Sequence, residues 1–171
     1  MIVIVMGVAG AGKTTVGSRL AASLGCEFID ADDYHPPASV QKMRAGQPLG
    51  DDDRWPWLAR LNGLLQDRAQ RDAGVVLACS ALKASYREAL LRGLADARLV
   101  HLRGSKAVIA PRLAERGGHF MNPALLDSQF AALEEPRDAI VVDVEDTPEA
   151  LVGAIRAGLA QNPRLADAAP G

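Results

Sequence analysis

Short apolar runs alternate with stretches of helical periodicity along most of this chain. The runs are rich in valine, isoleucine and leucine and have few polar interruptions, which is typical of strands buried on both faces of a sheet. The stretches between them place apolar side chains every three to four positions, as amphipathic helices do. Strands are predicted at residues 2–6, 26–30, 75–79, 98–102 and 139–142, and helices at residues 13–24, 37–44, 55–72, 83–94, 106–116, 123–133 and 149–158.

This alternation of strands and helices predicts the fold class. Consecutive β and α elements favour a parallel sheet with right-handed crossovers. We therefore expect an α/β fold with a doubly wound, five-stranded parallel sheet and helices on both faces. At 171 residues the chain is long enough for one domain with a substantial core. Residues 1–161 are predicted to form that domain, and residues 162–171, which have little to pack, a flexible tail.

Composition and charge exclude several classes of function. The formal charge is −2, from 19 basic and 21 acidic residues, and no run of lysine or arginine occurs, so no nucleic acid partner is expected. No apolar run reaches the length of a membrane span, and the apolar start fits a first strand better than a signal peptide. Cys26 and Cys79 lie in strand-like runs and are predicted to be reduced core residues of a cytoplasmic protein.

The stretch GVAGAGKT, from Gly7 to Thr14, matches the phosphate-binding loop pattern G-x-x-x-x-G-K-[ST] at every required position. Its glycines allow successive backbone N–H groups to face one anion, and the helix that follows adds positive potential. Lys13 can reach the β- and γ-phosphates of ATP, and Thr14 can bind Mg²⁺. The predicted ATP-binding residues are Gly7, Val8, Ala9, Gly10, Ala11, Gly12, Lys13, Thr14, Thr15 and, from a later helix, Arg112.

This loop predicts a P-loop NTPase but leaves the reaction open. A GTPase switch should contain an Asn-Lys-x-Asp element for reading the base, and the chain has none. A motor or transporter ATPase normally has a longer chain. A compact domain of this size favours a kinase that phosphorylates a small acceptor. A non-catalytic nucleotide-binding switch or assembly module is the alternative, and the intact Lys13–Thr14 pair argues against it.

Three acidic residues, Asp30, Asp32 and Asp33, follow the second predicted strand closely. We call residues 30–33 the acid corner. In doubly wound sheets, ligands bind beyond the carboxyl ends of the strands, so the acid corner should lie beside the phosphate-binding loop. We predict that Asp30 faces the metal and that Asp32 binds the acceptor hydroxyl. Asp33 either caps a helix or is solvated, and an ion pair with Lys13 is the alternative role for Asp30.

Basic residues after this corner are candidates for binding an anionic acceptor. Arg54 lies near a helix start, where the helix dipole disfavours a cation, so either an anionic substrate or the acids at residues 51–53 should stabilise it. Ser80, Lys83 and Arg87 follow the third predicted strand at the same sheet edge. Lys83 and Arg87 are spaced for one helix face, which suits a carboxylate or phosphate. The alternative is a solvated face balanced by a nearby glutamate.

Residues 117–136 are predicted to form a small helical lid that closes over the nucleotide. Two glycines can act as its hinge, and the leucine and phenylalanine side chains of its helix are interpreted as packing. Arg116, beside the hinge, could stabilise charge on the transferring phosphoryl group. Arg112 could stack on the adenine. His119 either contacts the substrate or is a solvent-exposed lid residue.

Four segments together resemble the gluconokinase family, in the shikimate-kinase-like branch of P-loop kinases. They are GVAGAGKTT, DADDYHPPASVQKMRAGQPLGDDDRWPWL, CSALKASYREALL and RGGHFMNPALLDSQFAALEEP. The first segment occurs in many families, whereas the other three are far more specific to this one. The resemblance extends from Ile2 to about Leu159. One departure is Ala31, where the family often has glycine.

The resemblance implies ATP-dependent phosphorylation of D-gluconate at its 6-hydroxyl, giving 6-phospho-D-gluconate, with Mg²⁺ as cofactor. It also implies that Asp32 holds the acceptor hydroxyl and that basic residues face the sugar acid. The predicted catalytic residues are Lys13, Asp32 and Arg116, the metal ligands are Thr14 and Asp30, and the substrate-binding residues are Asp32, His35, Arg54, Ser80, Lys83, Arg87 and His119.

Members of this family commonly dimerise, so the resemblance also implies a homodimer. A kinase for another small acceptor, such as shikimate or a nucleoside monophosphate, is the alternative function. Shikimate kinases tend to have a glycine run after the third strand, where this chain has Cys79, Ser80 and Ala81. Nucleotide kinases tend to have more lid arginines than the two present here.

Overall fold

A parallel five-stranded sheet forms the centre of the computed structural model, which describes residues 1–115 and 123–161. The strand order is β2-β3-β1-β4-β5, and each neighbouring pair is parallel. The predicted α/β fold is therefore confirmed. Every predicted strand is present, although the boundaries of four of them shift slightly. The strands are β1 (Ile2–Met6), β2 (Glu27–Asp30), β3 (Val75–Ala78), β4 (Ala97–Arg103) and β5 (Ala139–Asp143).

Helices connect the strands in the predicted order. A short 3-10 helix, Ala31–Tyr34, follows β2 directly. In the described part of the chain the α-helices are α1 (Lys13–Leu24), α2 (Pro37–Arg44), α3 (Asp51–Gln70), α4 (Ala84–Leu91), α5 (Lys106–Glu115), α6 (Pro123–Ala132) and α7 (Pro148–Gln161).

Helix α3 begins at Asp51, whereas the sequence predicted a start at Trp55. The Asp53 carboxylate accepts a hydrogen bond from the Gly50 N–H at 3.0 Å, which stabilises the first turn. Acidic residues in this turn also interact favourably with the positive end of the helix dipole. The apolar periodicity starts only after these acids, so the pattern alone missed the first turn. Arg54 therefore lies within the helix.

Helix α4 is shorter than the predicted helix at residues 83–94. Lys83 is its N-cap residue, and Gly93 adopts a φ of +74°, a left-handed conformation that is common just after a helix end. Lys83 therefore precedes the helix while Arg87 lies within it, so the predicted pair of cations on one helix face is wrong. The alternative of a solvated face was also wrong, because Arg87 is only 7% exposed.

Two apolar clusters cover the two faces of the sheet. Successive residues of β1 belong to different clusters, as Ile4 and Val5 illustrate. Helices α3 and α4 cover the first face through residues such as Leu61 and Leu90. Helices α1, α5, α6 and α7 contribute to the cluster on the second face. Because β1 is buried throughout, the loop that follows it starts from a fixed position.

Parts of the predicted organisation fall outside the described residues. The first part of the predicted lid, with its hinge glycines, and the tail at residues 162–171 lie there, so both stay predictions. The second part of the lid segment contains helix α6. In residues 1–115 and 123–161, no helix is both long enough and apolar enough to cross a bilayer.

Candidate active site

The loop between β1 and α1 packs closely against its surroundings. Gly10 has a φ of +80°, and a Cβ at this position would come within 2.6 Å of Leu113 Cγ in α5. Gly7 has a φ of +152°, and a Cβ there would lie 2.8 Å from the carbonyl oxygen of Leu102. Conformation and space therefore both exclude side chains at these positions. The glycines let the loop curl close to β4 and α5, as the phosphate-binding pattern requires.

Among the described residues, Lys13 and Gln129 hydrogen-bond to the backbone of this loop. Lys13 Nζ donates to the carbonyl oxygen of Val8 at 3.1 Å, so the ammonium group folds back across the loop. Gln129 Oε1, in α6, accepts a hydrogen bond from the Ala9 N–H at 2.6 Å. The ammonium group and the loop N–H groups thus lie together beyond the carboxyl end of β1. This combination suits the phosphate tail of a nucleotide.

Thr14 and Asp30, the predicted metal ligands, are in direct contact. Thr14 Oγ1 donates to Asp30 Oδ2 at 2.8 Å, and Asp30 Oδ1 accepts from the Asp32 N–H at 3.1 Å. Asp30 is thus the N-cap of the 3-10 helix, a role that the sequence analysis considered for Asp33, which is exposed. Mg²⁺ prefers oxygen ligands and needs few from the protein when phosphates and water complete its shell. The Thr14 hydroxyl and the Asp30 carboxylate fit that requirement.

Asp32 lies beside the phosphate-binding loop with its side chain 86% exposed. Its Oδ1 is 3.6 Å from Nε2 of His35. The His35 ring lowers the pKa of Asp32, and the positive charges of Lys13 and Arg54 lower it further, while partial loss of hydration has the opposite effect. Asp32 is therefore ionised at neutral pH. Asp32 follows Asp30, which contacts Thr14, within one short turn, so the predicted nucleotide and acceptor sides lie at one edge of the sheet.

His35 supports the acid corner from within the protein. Its side chain is 4% exposed and stacks on Trp57, with ring centroids 4.2 Å apart. The Trp57 Nε1–H donates to the carbonyl oxygen of Ala31 at 2.9 Å. Within the described residues, His35 Nδ1 is buried and has no hydrogen-bond partner. Ala31 does not have a positive φ, so alanine is tolerated where the resembling family often has glycine.

Two predicted cations lie against the ring of Tyr86. Arg54 Cζ is 5.7 Å and Lys83 Nζ is 5.2 Å from the ring centroid, both within cation–π range. Lys83 also pairs with Asp51 at 2.8 Å, and the Tyr86 hydroxyl donates to the same carboxylate. We call Asp51, Arg54, Lys83 and Tyr86 the Tyr86 cluster. Among the described residues, Arg54 forms no ion pair with the acids at residues 51–53, which was one of the two partners expected from the sequence.

Arg87 and Ser80 shape the loop between β3 and α4. Arg87 Nη1 donates to the carbonyl oxygens of Ala81 at 3.1 Å and Leu82 at 2.9 Å. Burial lowers the pKa of Arg87, although an arginine stays charged in proteins. Ala81 adopts a φ of +43°, so the Arg87 hydrogen bonds stabilise an unusual turn. The Ser80 carbonyl oxygen accepts from the Gly7 N–H at 3.4 Å, which links this turn to the phosphate-binding loop.

Some predicted residues lie elsewhere, and some relevant residues were not predicted. Arg116 and His119 fall outside the described residues, so their roles stay predictions. Arg112 lies in α5, and no contact in the structure tests its proposed role. Sequence reasoning missed Tyr86 and Trp57. Both follow a predicted basic residue by about one helical turn, but aromatic side chains at helical spacing usually indicate packing.

Together, the carboxyl ends of β1 and β2 and the first turn of α3 bring three chemical functions to one edge. Backbone N–H groups and the Lys13 ammonium can bind phosphates. The ionised Asp32 can hold a hydroxyl group, and Arg54 provides positive charge for an acidic acceptor. This combination fits phosphoryl transfer from a nucleotide to a small, negatively charged alcohol.

Comparisons with known proteins agree with this geometry. A family described as an AAA domain matches residues 2–136. A probable gluconokinase of Xenopus tropicalis is 44% identical in an alignment of 173 positions, gaps included, that covers 91% of this chain and 91% of that protein. A gluconokinase of Gluconobacter oxydans strain 621H is 50% identical over 135 residues, which cover 79% of this chain and 76% of that protein.

A solved structure is also similar to this chain over most of its length. The crystal structure of a gluconokinase from Sinorhizobium meliloti 1021 is 44% identical in sequence and has a TM-score of 0.85, covering 93% of this chain and 91% of that chain. Similarity over so much of each chain extends well beyond the phosphate-binding loop. The chain therefore belongs to the gluconokinase family of P-loop kinases.

Proposed function

We propose that this protein is an ATP-dependent gluconokinase that phosphorylates D-gluconate at the 6-hydroxyl, giving 6-phospho-D-gluconate. The observation that supports this most directly is the hydrogen bond from Thr14 to Asp30, which places Asp32 beside the phosphate-binding loop. A hydroxyl bound by Asp32 would lie next to the phosphate-binding loop, and the acidic end of the same molecule could extend toward the Tyr86 cluster. Similarity to gluconokinases over most of the chain favours gluconate as the acceptor.

ATP is the phosphoryl donor in this proposal. The loop between Gly7 and Thr15 binds its phosphates through N–H groups other than that of Ala9, which Gln129 already holds. Lys13 turns from the Val8 carbonyl to the β- and γ-phosphates. Arg112 is proposed to stack on the adenine, and Arg116 to stabilise charge on the transferring phosphoryl group. Such neutralisation lowers the barrier because the transition state is loose and its charge is spread over the phosphoryl oxygens.

Thr14 and Asp30 would hold Mg²⁺, which neutralises phosphate charge and helps to orient the γ-phosphoryl group. Their oxygens are 2.8 Å apart, so little movement is needed to present both to one cation. The hydrogen bond from the Asp32 N–H keeps Asp30 in place. The same contact fixes the backbone of the acid corner relative to the phosphate-binding loop.

Asp32 orients the 6-hydroxyl and accepts its proton. The hydroxyl oxygen forms a bond with the γ-phosphorus while the bond from that phosphorus to the bridging oxygen of ADP breaks. In a loose transition state the new bond forms late, so the hydroxyl becomes strongly acidic only near the end of transfer. A carboxylate with a lowered pKa is therefore a sufficient base. His35, stacked on Trp57, keeps this carboxylate in position.

The cations of the Tyr86 cluster are proposed to bind the carboxylate of gluconate. Arg54 has no ion pair with its acidic neighbours in the described residues, so its charge is available to a substrate. Lys83 would share its charge between Asp51 and the substrate. Arg87 is hydrogen-bonded to the turn before α4, and its direct contact with substrate stays a prediction. The other proposed contacts with the acceptor are His35, Ser80 and His119.

An ADP-release assay coupled to NADH oxidation tests this function. Gluconate, other sugar acids, shikimate and nucleoside monophosphates are supplied as separate acceptors, and phosphorus NMR identifies the phosphorylated position. We expect gluconate to support the fastest turnover and the product to be the 6-phosphate. Faster turnover with shikimate or a nucleotide would overturn the proposed acceptor. ADP release that does not depend on any acceptor would overturn the assignment as a kinase.

A homodimer and a cytoplasmic location stay predictions that follow from the family and from the reduced cysteines. Light scattering after size-exclusion chromatography measures the mass of the particle in solution directly. A mass near that of one 18.1 kDa chain would contradict the predicted dimer.

A further inference from the structure

Helix α6 and the residues just after it contact both loops of the proposed active site. Gln129 hydrogen-bonds to the phosphate-binding loop, and Glu134 hydrogen-bonds to the start of α4. Both contacts join residues far apart in the sequence, and neither side chain takes part in the mechanism proposed above. We call residues 129–134 the connecting segment.

An apolar stripe fixes the connecting segment to the core. Leu126 is 2% exposed and belongs to the cluster that includes α1, and Phe130 packs against the same cluster. Leu133 packs against the clusters on both faces of the sheet. The spacing of these three residues places them on one side of the helical segment. Their packing therefore limits how far Gln129 and Glu134 can move.

Gln129 restrains a loop whose own sequence restrains it weakly. The loop contains glycines with positive φ at positions 7, 10 and 12, and glycine permits many backbone conformations. Gln129 Oε1 accepts from the Ala9 N–H at 2.6 Å. Ala9 is 9% exposed, so water has little access to replace this partner. The hydrogen bond from outside the loop thus selects one of the conformations that the glycines permit.

Glu134 fixes the backbone on both sides of Lys83. Its Oε2 accepts from the Ala84 N–H at 2.6 Å, and its own N–H donates to the carbonyl oxygen of Leu82 at 2.9 Å. Lys83 is the N-cap of α4 but its side chain makes no capping hydrogen bond. Glu134 therefore supplies both the missing cap and a negative charge at the positive end of the helix.

We propose that Gln129 and Glu134 are positioning residues for phosphoryl transfer. Gln129 holds the phosphate-binding loop in its ATP-binding conformation, and Glu134 holds Lys83 where it can bind the acidic end of the acceptor. Neither residue touches a substrate. The Glu134 half rests on the proposed function, because it needs an acidic acceptor, whereas the Gln129 half requires only ATP binding.

Gln129→Met tests the first half, because methionine keeps the length of the side chain and removes the acceptor oxygen. This variant should bind a non-hydrolysable ATP analogue about tenfold more weakly in calorimetry. The KM for gluconate should change less than about twofold. Ser128→Ala is the control, since that hydroxyl donates only to the Leu125 carbonyl in the same helix, and it should change neither value. Tighter binding of the analogue by Gln129→Met would overturn this half, because Gln129 would then compete with the nucleotide for the Ala9 N–H.

Glu134→Ala and Glu134→Gln together test the second half. The alanine variant removes the cap and should raise the KM for gluconate about tenfold, with a much smaller effect on the KM for ATP. The glutamine variant keeps an oxygen that can accept from the Ala84 N–H, so it should recover most of the affinity for gluconate. Equal defects in both variants would show that only the charge matters and would overturn the positioning role. Glu88→Ala is the control, because it removes an exposed carboxylate of α4 that does not cap the helix.

The outcomes separate this inference from the proposed function. If the wild-type protein does not phosphorylate gluconate, the proposed function fails, while binding of the ATP analogue by Gln129→Met still tests the nucleotide half. If the wild-type protein phosphorylates gluconate and Glu134→Ala keeps its KM for gluconate at an unchanged Tm, only the inference fails. A lower Tm with unchanged KM values would indicate a purely structural role and would also overturn it.

Discussion

The two sides of the proposed active site are built in different ways. The phosphate-binding loop is one continuous stretch between β1 and α1. The acceptor side brings together Asp32 after β2, Arg54 in α3 and Lys83 before α4. On the first side, backbone N–H groups provide most of the proposed contacts. On the second side, side chains from three separate elements provide them.

This difference predicts how each side responds to substitution. Backbone binding depends on the local conformation of the loop, which glycines at fixed positions make possible. Side-chain binding depends on how α3 and α4 pack on the sheet, because that packing sets the distances among the acceptor residues. Changes on the nucleotide side should therefore affect catalysis with any acceptor, whereas changes in the Tyr86 cluster should affect the acceptor selectively.

Replacement of the loop lysine should have the largest effect. Lys13→Ala removes the only loop side chain that can balance charge on the β- and γ-phosphates, so kcat should fall by about 10³-fold or more. The coupled ADP assay measures this loss with every acceptor that the wild-type protein uses. Lys106→Ala is the control, because Lys106 is an exposed α5 lysine that pairs with Asp127. A Lys13→Ala variant with a normal rate would break the assignment of the nucleotide side.

Asp32→Asn should separate catalysis from nucleotide binding. The amide cannot take the hydroxyl proton, so kcat should fall by about 10²-fold, while an ATP analogue should bind as before. Since the pKa of Asp32 is lowered, its ionised form persists to more acidic pH, and no loss of activity from its protonation is expected between neutral pH and about pH 5. Asp33→Asn, at the exposed neighbouring position, is the control. Equal kinetics for the two variants would remove Asp32 from the mechanism.

Arg54→Ala should show the selectivity of the acceptor side. Loss of a charged hydrogen bond to the substrate carboxylate should raise the KM for gluconate about 10- to 100-fold, with little change in the KM for ATP. Arg60→Ala is a matched control, because Arg60 lies in the same helix and also stacks on a tyrosine, Tyr34. A defect that affects ATP more than gluconate would contradict the separation of the two sides.

Cys79 provides the smallest and most local test. Its N–H donates to the Val5 carbonyl beneath the site, its side chain is 2% exposed, and burial raises its pKa to about 12. The group stays a neutral thiol at pH 8, so alkylation by iodoacetamide should be very slow in the native protein and fast after unfolding. Mass spectrometry of labelled peptides measures both rates, with the less buried Cys26 as the internal comparison. Fast labelling of Cys79 in the native protein would show that the end of β3, beneath both sides of the site, opens readily to solvent.

Much of the fold and half of the site could be predicted from local sequence. The apolar runs that became β1–β5 were recognisable because a strand buried on both faces excludes polar residues. The loop from Gly7 to Thr14 was recognisable because its glycines, lysine and threonine are adjacent in the chain. Asp30 and Asp32 could be placed at the same edge because the carboxyl ends of parallel strands meet there.

Other features depend on contacts between distant segments. The spacing of Lys83 and Arg87 predicted one helix face for both. However, α4 begins after Lys83, and Arg87 is buried against the carbonyl groups of the turn before α4. Tyr86 was given no role in the sequence analysis, yet its ring lies within cation–π range of both Arg54 and Lys83. Gln129 was given no role in the sequence analysis, and its hydrogen bond spans 120 positions.

The sequence by itself therefore determined the strands, the phosphate-binding loop and the acid corner, because each depends on residues close together in the chain. Only the tertiary structure decided which cations reach the acceptor side and which residues fix the two loops. Those arrangements depend on side-chain packing across the sheet, and no local pattern of residue types contains the distances that such packing sets.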